Sequence, residues 1–156
     1  TITSNDFALK IKKKINEIES LKLRNRSLFM VLSNRKHQFF IDLCAVWLTN
    51  NIALPFGDLK ISKNNNFIEK IQPNFILGKK IIINSKKKIN FKHNIDTVIL
   101  TSGTSGLQKG VLTSLDKLIG NSNSFLQKVE IDQNKILGFS IPYYFTSAVC
   151  FFFMQY

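Results

Sequence analysis

Short runs of β-branched and aromatic residues alternate along this chain with segments whose apolar residues fall at helical spacing, and that alternation restricts the available folds more than any other feature. Phe7, Ile11, Ile15 and Ile18 recur at helical spacing behind Ser4 and Asn5, residue types that cap a helix start. Ser27 to Leu32 is an apolar run of strand length, closed by the turn pair Ser33-Asn34. Phe39, Phe40, Leu43, Val46, Trp47 and Leu48 form the broad face of a second helix, which ends at Asn50-Asn51. Ile52 to Phe56 reads as a strand containing Pro55 and stopping at Gly57. Ser62 opens a third helix carrying Phe67, Ile68 and Ile71, and Pro73 ends it. Phe75 to Leu77, Ile81 to Ile83 and Thr97 to Leu100 are further strand-type runs, with a polar stretch from Lys79-Lys80 to Lys92 read as a surface hairpin or loop. Val111-Leu112, a helix from about Ser114 to Val129, a strand from Ile136 to Ile141 and an apolar segment after Pro142 complete the pattern.

Strand, helix, strand, helix, strand in that order calls for crossover connections. The expectation is an α/β fold, a mainly parallel sheet with helices on both faces. The 156 residues make one domain's worth of chain, enough to bury roughly 68–70% of the unfolded surface. With 44% hydrophobic residues and 14 Phe, disorder of the whole chain is excluded. Cys44 and Cys150 have neither disulfide nor metal-ligand spacing and read as small core hydrophobes. No run reaches the ~18–20 apolar residues of a spanning helix, and no signal-peptide pattern opens the chain, so a cytoplasmic protein is expected. Thr1 is no initiator Met and Tyr156 follows an apolar run without a stop signal, which suggests a fragment.

A formal net charge of +12 draws polyanions and anionic lipid. Lys greatly outnumbers Arg, however, and the excess accompanies abundant Ile, Asn and Phe, a joint bias that an AT-rich genome produces without any partner. The runs Lys12-Lys13-Lys14 and Lys86-Lys87-Lys88 lack the interleaved Arg and aromatic residues of a single-strand groove and read as solvated faces. No nucleic-acid partner is expected, and a basic nucleic-acid binder stands only as the weakest of three functional alternatives.

The chemistry concentrates in Thr101-Ser102-Gly103-Thr104-Ser105-Gly106-Leu107-Gln108-Lys109-Gly110, directly after a strand. Gly103, Gly106 and Gly110 permit φ > 0, so that successive backbone N–H groups can converge on an anion. The hydroxyls of Thr101, Ser102, Thr104 and Ser105 add donors, and Lys109 adds a mobile positive charge. Each bond to a charged oxygen is worth ~1.5–3 kcal/mol. The pattern is neither Walker A, which ends in Gly-Lys-Ser/Thr, nor the dinucleotide fingerprint. A generic Ser/Gly surface turn is the bland reading.

From Leu100 to Val111 the run closely resembles the phosphate-binding signature of the adenylate-forming superfamily, which includes acyl-CoA synthetases, peptide-synthetase adenylation domains and luciferases. The family form is Thr-Ser-Gly-Thr-Thr-Gly, any residue, Pro-Lys-Gly-Val. Phe39 to Pro55 and Ile71 to Leu77 resemble the helix-to-strand steps that precede it. Ile141-Pro142-Tyr143-Tyr144-Phe145 resembles the following segment, which helps shape the acyl pocket; Tyr143, Tyr144 and Phe145 are thus candidate pocket residues, with plain core the alternative for the tyrosines. Gln108 replaces the usual Pro, while Leu115 and Phe145 stand where many members place His.

The resemblance implies the N-terminal part of the family's large domain, with residues 1–156 a partial domain. It also implies two half-reactions. A carboxylic acid reacts with Mg-ATP to give an acyl-adenylate and pyrophosphate, and the acyl group passes to a thiol of coenzyme A or a carrier protein. Thr101, Ser102, Gly103, Thr104, Ser105, Gly106, Lys109 and Gly110 would hold the ATP phosphates. The adenine-binding segment, the Mg2+ ligand, the ribose-binding Asp, the hinge and the catalytic Lys would all lie beyond Tyr156, leaving no catalytic or metal-binding residue here and an inactive fragment. The alternative is a non-catalytic phosphate-binding remnant. His37 and His93 are isolated and read as surface groups, and Trp47 as core.

Overall fold

A computed structural model of the chain describes residues 2–33, 37–57, 65–78, 80–86, 89, 91, 94–101, 109–129 and 142–153. The first helix, α1, spans Ser4–Glu19. Its N-cap is Thr3, whose hydroxyl accepts the Asp6 N–H, so Ser4 and Asn5 lie inside the helix rather than capping it. Strand β1 (Leu28–Leu32), helix α2 (His37–Leu48), strand β2 (Ile52–Phe56), helix α3 (Asn65–Ile71) and strand β3 (Phe75–Leu77) follow in the expected alternation. Asn50 and Gln72 take left-handed φ of 55° and 49° just past α2 and α3, which closes both helices before Asn51 and Pro73 redirect the chain. The remaining elements are β4 (Ile81–Ile83), β5 (Thr97–Thr101), β6 (Lys109–Thr113), α4 (Leu115–Val129) and α5 (Thr146–Phe153). Asn34, Ser62, His93 and the strand expected over Ile136 to Ile141 fall outside the described residues.

The strands form one sheet in the order β4-β3-β1-β2-β5-β6. β1 pairs in parallel with β2 and β3, and β2 with β5. Both edges are antiparallel hairpin partners, β4 on β3 and β6 on β5, so the sheet is mixed, with its parallel ladders in the middle. Every residue of β1 and β2 is buried, because alternate side chains enter two separate cores. Phe29, Val31, Ala53, Phe75, Leu77 and Ile99 face the helices α1, α2, α4 and α5. Leu28, Met30, Leu32, Leu54, Phe56 and Val98 face Ile68 and Ile71 of α3 together with Ile89 and Phe91. Within the stretch read as a surface hairpin or loop, Ile81–Ile83 pairs antiparallel with β3 as a hairpin, and Ile89 and Phe91 add two apolar side chains to the second core.

Pro55 shapes the middle of the sheet. Ile52 donates its N–H to Ser27 on the β1 side and Ala53 to Asp96 on the β5 side, so the next donor toward β5 would be residue 55. Proline has none. Among the described residues the β2–β5 register therefore holds one pair, Ala53 with Thr97, whereas β1 and β2 stay in register from Leu28 and Ile52 to Leu32 and Phe56.

On the first face the aromatic rings lock helix to helix. Phe40 of α2 stacks on Phe152 of α5 with centroids 4.5 Å apart, and Phe152 also meets Phe7 of α1 at 6.1 Å. Among the described side chains of α5, Ala148, Val149, Cys150 and Phe152 are all buried. The Lys12-Lys13-Lys14 run is not one uniform face, since Lys14 is only 9% exposed and pairs with Glu17.

Asp96, at the entrance to β5, ties these parts together. One carboxylate oxygen accepts Arg26 Nη2 at 2.8 Å, and the other accepts the Leu115 N–H at the start of α4 at 2.9 Å. Its carbonyl accepts from Ala53 and from Trp47 Nε1, which also donates to Thr97 Oγ1 at 3.0 Å. Replacing Asp96 by Ala removes the acceptor for both the guanidinium and the α4 amide. We expect a loss of about 2 kcal/mol in unfolding free energy, read as a lower urea midpoint with unchanged slope. An unchanged midpoint would show that this brace contributes nothing.

Candidate functional site

Ligands of open α/β sheets settle outside the carboxyl ends of the parallel strands. Here those ends are Ser33 after β1, Gly57 after β2, Gly78 after β3 and Thr101 at the end of β5. The candidate phosphate residues straddle this edge. Thr101 closes β5 and pairs with Lys109, the first residue of β6, and the Thr101 hydroxyl leans on the Lys109 carbonyl at 3.4 Å. Both side chains are exposed. Ser102, Gly103, Thr104, Ser105, Gly106, Leu107 and Gln108 lie outside the described residues. What the described residues do establish is the frame: the glycine-rich segment leaves the sheet at Thr101 and returns at Lys109 to the neighbouring antiparallel strand. It does not run straight into a helix, as a Walker-type loop does.

Gly110 differs from expectation. It needs no left-handed φ; it stands in β6 opposite Leu100, where an added Cβ would lie 3.0 Å from Val98 Cγ1. Its lack of a side chain lets Val98 cross the hairpin.

The three aromatic candidates separate. Tyr143 packs inward, stacked on Phe39 at 6.5 Å and edge-on to Phe40 at 5.5 Å, so core packing accounts for it. Tyr144 lies over Gly57 at the carboxyl end of β2 and meets Phe145 edge-on at 4.9 Å. Phe145 remains 46% exposed. Leu115, at a position where the resemblance expects His, opens α4 and gives its N–H to Asp96. Tyr144 and Phe145 therefore stand on the same sheet edge as Thr101 and Lys109.

α2 begins just past the carboxyl end of β1, so its first residue stands at this same end of the sheet. His37 is exposed at the start of α2, and His93 lies outside the described residues. Cys150 is buried and Cys44 half-buried. Burial pushes the Cys44 thiol up from 9.0 to about 12, and burial likewise raises that of Cys150 against the Ser122 hydroxyl. Neither thiol is a nucleophile at neutral pH. Among the described residues no three His, Cys, Asp or Glu side chains gather to hold a metal. Nor, among them, is any helix long and apolar enough to cross a membrane. A concavity bordered by Arg24, Arg26, Asn74 and Lys86 opens at the amino end of β1, the opposite end of the sheet. Sequence reading missed Asp96 and Arg26 altogether, because an isolated Asp and Arg in turn regions give no periodic or motif signal.

Neither a protein-family model nor a curated protein sequence matches the chain. Solved structures do. O-succinylbenzoate coenzyme A synthetase (MenE) of Bacillus subtilis, in complex with AMP, superposes with a TM-score of 0.77 at 17% identity, over 99% of this chain and 47% of that one. The chain shares the fold of that part of the synthetase. Apo MatB of Rhodopseudomonas palustris agrees at a TM-score of 0.72 and 14% identity, over 99% of this chain and 38% of that one. A MenE structure holding ATP and a magnesium ion agrees at 0.74 and 16%, over 99% and 48%. The chain thus spans less than half the length of these proteins, and the shared fold accounts for nearly all of its own length.

Two outcomes follow from the site's packing. Gly110→Ala forces Val98 to shift and should cost about 1–3 kcal/mol in urea unfolding, against little change for an Ala at the open position Gly120. For Cys44 the folded thiol holds its proton longer than the unfolded one. Its contribution to stability is whole below pH 9 and falls as pH climbs from 9.0 toward about 12. Iodoacetamide should accordingly label the cysteines far more slowly in the folded chain than in urea.

Proposed function

We propose that this chain supplies the phosphate-binding part of an ATP-dependent acyl-adenylating ligase. The observation that carries the reading is the Thr101 to Gly110 run, whose ends form the Thr101–Lys109 pair at the carboxyl edge of a sheet with the adenylate-forming fold. In the first half-reaction a carboxylate oxygen of the acid attacks the α-phosphorus of ATP. The bond from that phosphorus to the β-bridging oxygen breaks, giving acyl-AMP and pyrophosphate. In the second, the sulfur of a thiol, on coenzyme A or a carrier protein, attacks the acyl carbon and AMP leaves.

Within this scheme the chain's own residues bind and orient. The hydroxyls of Thr101, Ser102, Thr104 and Ser105, with the backbone N–H groups around Gly103, Gly106 and Gly110, hold the β- and γ-phosphates. Lys109 neutralises charge that builds on the departing pyrophosphate. Magnesium, when it arrives with ATP, lowers the charge of the triphosphate; the described residues offer it no ligand cluster of their own. The cytoplasm is the compartment consistent with such substrates. A second reading, phosphate binding without turnover, draws on Gln108, since a residue other than Pro leaves the φ before Lys109 unfixed.

Pyrophosphate exchange into ATP by the complete gene product, across a panel of carboxylic acids, separates the two. The ligase reading expects exchange with at least one acid. Lys109→Ala should then weaken ATP use on the order of ten-fold or more, with the acid KM little altered. ATP-dependent thermal protection without exchange would favour the non-catalytic reading, and absence of both would sink each.

A further inference from the structure

The glycine at the end of β2 has no conformational reason to be there. Its φ is not left-handed, so any residue fits the backbone at position 57, and only space restricts it. A Cβ at Gly57 would lie 3.2 Å and 3.3 Å from Cε1 and Cζ of Tyr144, closer than side-chain carbons normally approach a ring. The missing side chain is the seat of the tyrosine.

The location gives that seat a consequence. Ser33 donates its N–H to the Phe56 carbonyl, which fixes the carboxyl end of β2 against β1. On the other side β5 is the neighbour of β2, so Gly57 after β2 and Thr101 at the end of β5 lie at the same, carboxyl end of adjacent strands. Pro55 removes the ladder bond that would zip β2 to β5 in between. Tyr144 therefore rests at the end of the sheet from which the glycine-rich segment departs, over Gly57 and edge-on to Phe145, whose ring is 46% exposed. A group entering beside the phosphate residues meets aromatic surface there.

We propose that Gly57 is a specificity-determining position: by admitting the Tyr144 ring to the edge of β2 it sets the depth of the space for the organic part of the acid, which the exposed aromatic pair suits to an apolar or aromatic tail. This rests on the ligase reading above. Gly57 touches neither the phosphates nor the reacting carboxylate; it acts through Tyr144. Bulk at 57 lifts the ring into the space of the acid and leaves the triphosphate residues where they are.

The test uses the complete gene product in pyrophosphate exchange, comparing Gly57→Ala, Gly57→Val, Tyr144→Ala and the double variant Gly57→Val with Tyr144→Ala. Gly57→Val should raise KM for the preferred acid on the order of ten-fold, Gly57→Ala less, with KM for ATP within about two-fold of wild type. With Tyr144 already cut to Ala the Gly57→Val penalty should vanish, since the ring that it displaces is gone. Should Gly57→Val not fold, the Gly57→Ala shift and its loss in the Tyr144→Ala background carry the same information. Acid and ATP constants moving together, no change on Gly57→Ala, or a penalty that persists without the ring would each overturn the proposal while leaving the ligase reading intact. A wild-type protein that neither exchanges pyrophosphate nor gains thermal protection from ATP overturns the reading and this inference together.

Discussion

The carboxylate of Asp96 connects what would otherwise be three loosely joined parts. Through Arg26 it reaches the start of β1, through its own carbonyl it meets β2 and the Trp47 indole, and through the Leu115 amide it fixes α4. The ion pair itself is only partly shielded, with side-chain exposures of 29% and 28%, and an isolated pair of that kind contributes little. Its importance lies in how many elements share it. Because Pro55 shortens the β2–β5 ladder, the brace at the amino end of β5 holds a strand that its neighbour holds weakly.

That arrangement also explains how the sheet divides its labour. At the amino end, Arg26 donates to the Ile95 carbonyl, and the side-chain oxygens of Asn51 and Asn74 accept the Ser27 and Leu28 N–H groups, which stitches the strands together. At the carboxyl end the strands stop at small or hydroxyl residues, Ser33, Gly57, Gly78 and Thr101. Stitched strands at one end and small residues at the other leave room at the edge where open α/β sheets take their ligands.

Much of the fold was legible in the sequence because both faces of β1 and β2 are buried, and double burial leaves continuous apolar runs such as Leu28 to Leu32 that announce a parallel sheet. The antiparallel edges were not legible. Ile81 to Ile83 and Val111-Leu112 look like any buried strand, yet Ile82, Ile83, Val111 and Leu112 are exposed, and only pairing geometry reveals their direction. The cap at Thr3 was missed because three consecutive residues of capping type stand at that start, and which one adopts extended dihedrals is decided by where Phe7 must pack. At the site, the motif from Thr101 to Gly110 was visible as spacing. The role of Gly110 was not, since its demand is for room beside Val98 and that neighbour comes from a strand partner. Gly57 gave no signal for the same reason: the ring that it accommodates is far away along the chain.

The pairing of Thr101 with Lys109 has a consequence for how such a protein can change over time. Both ends of the intervening segment are anchored on one and the same rung of a ladder. Four further pairs behind that rung, down to Thr97 and Thr113, join β5 to β6 without any contribution from the residues between the two ends. A lineage can therefore change the sequence between Thr101 and Lys109 while inheriting the same scaffold.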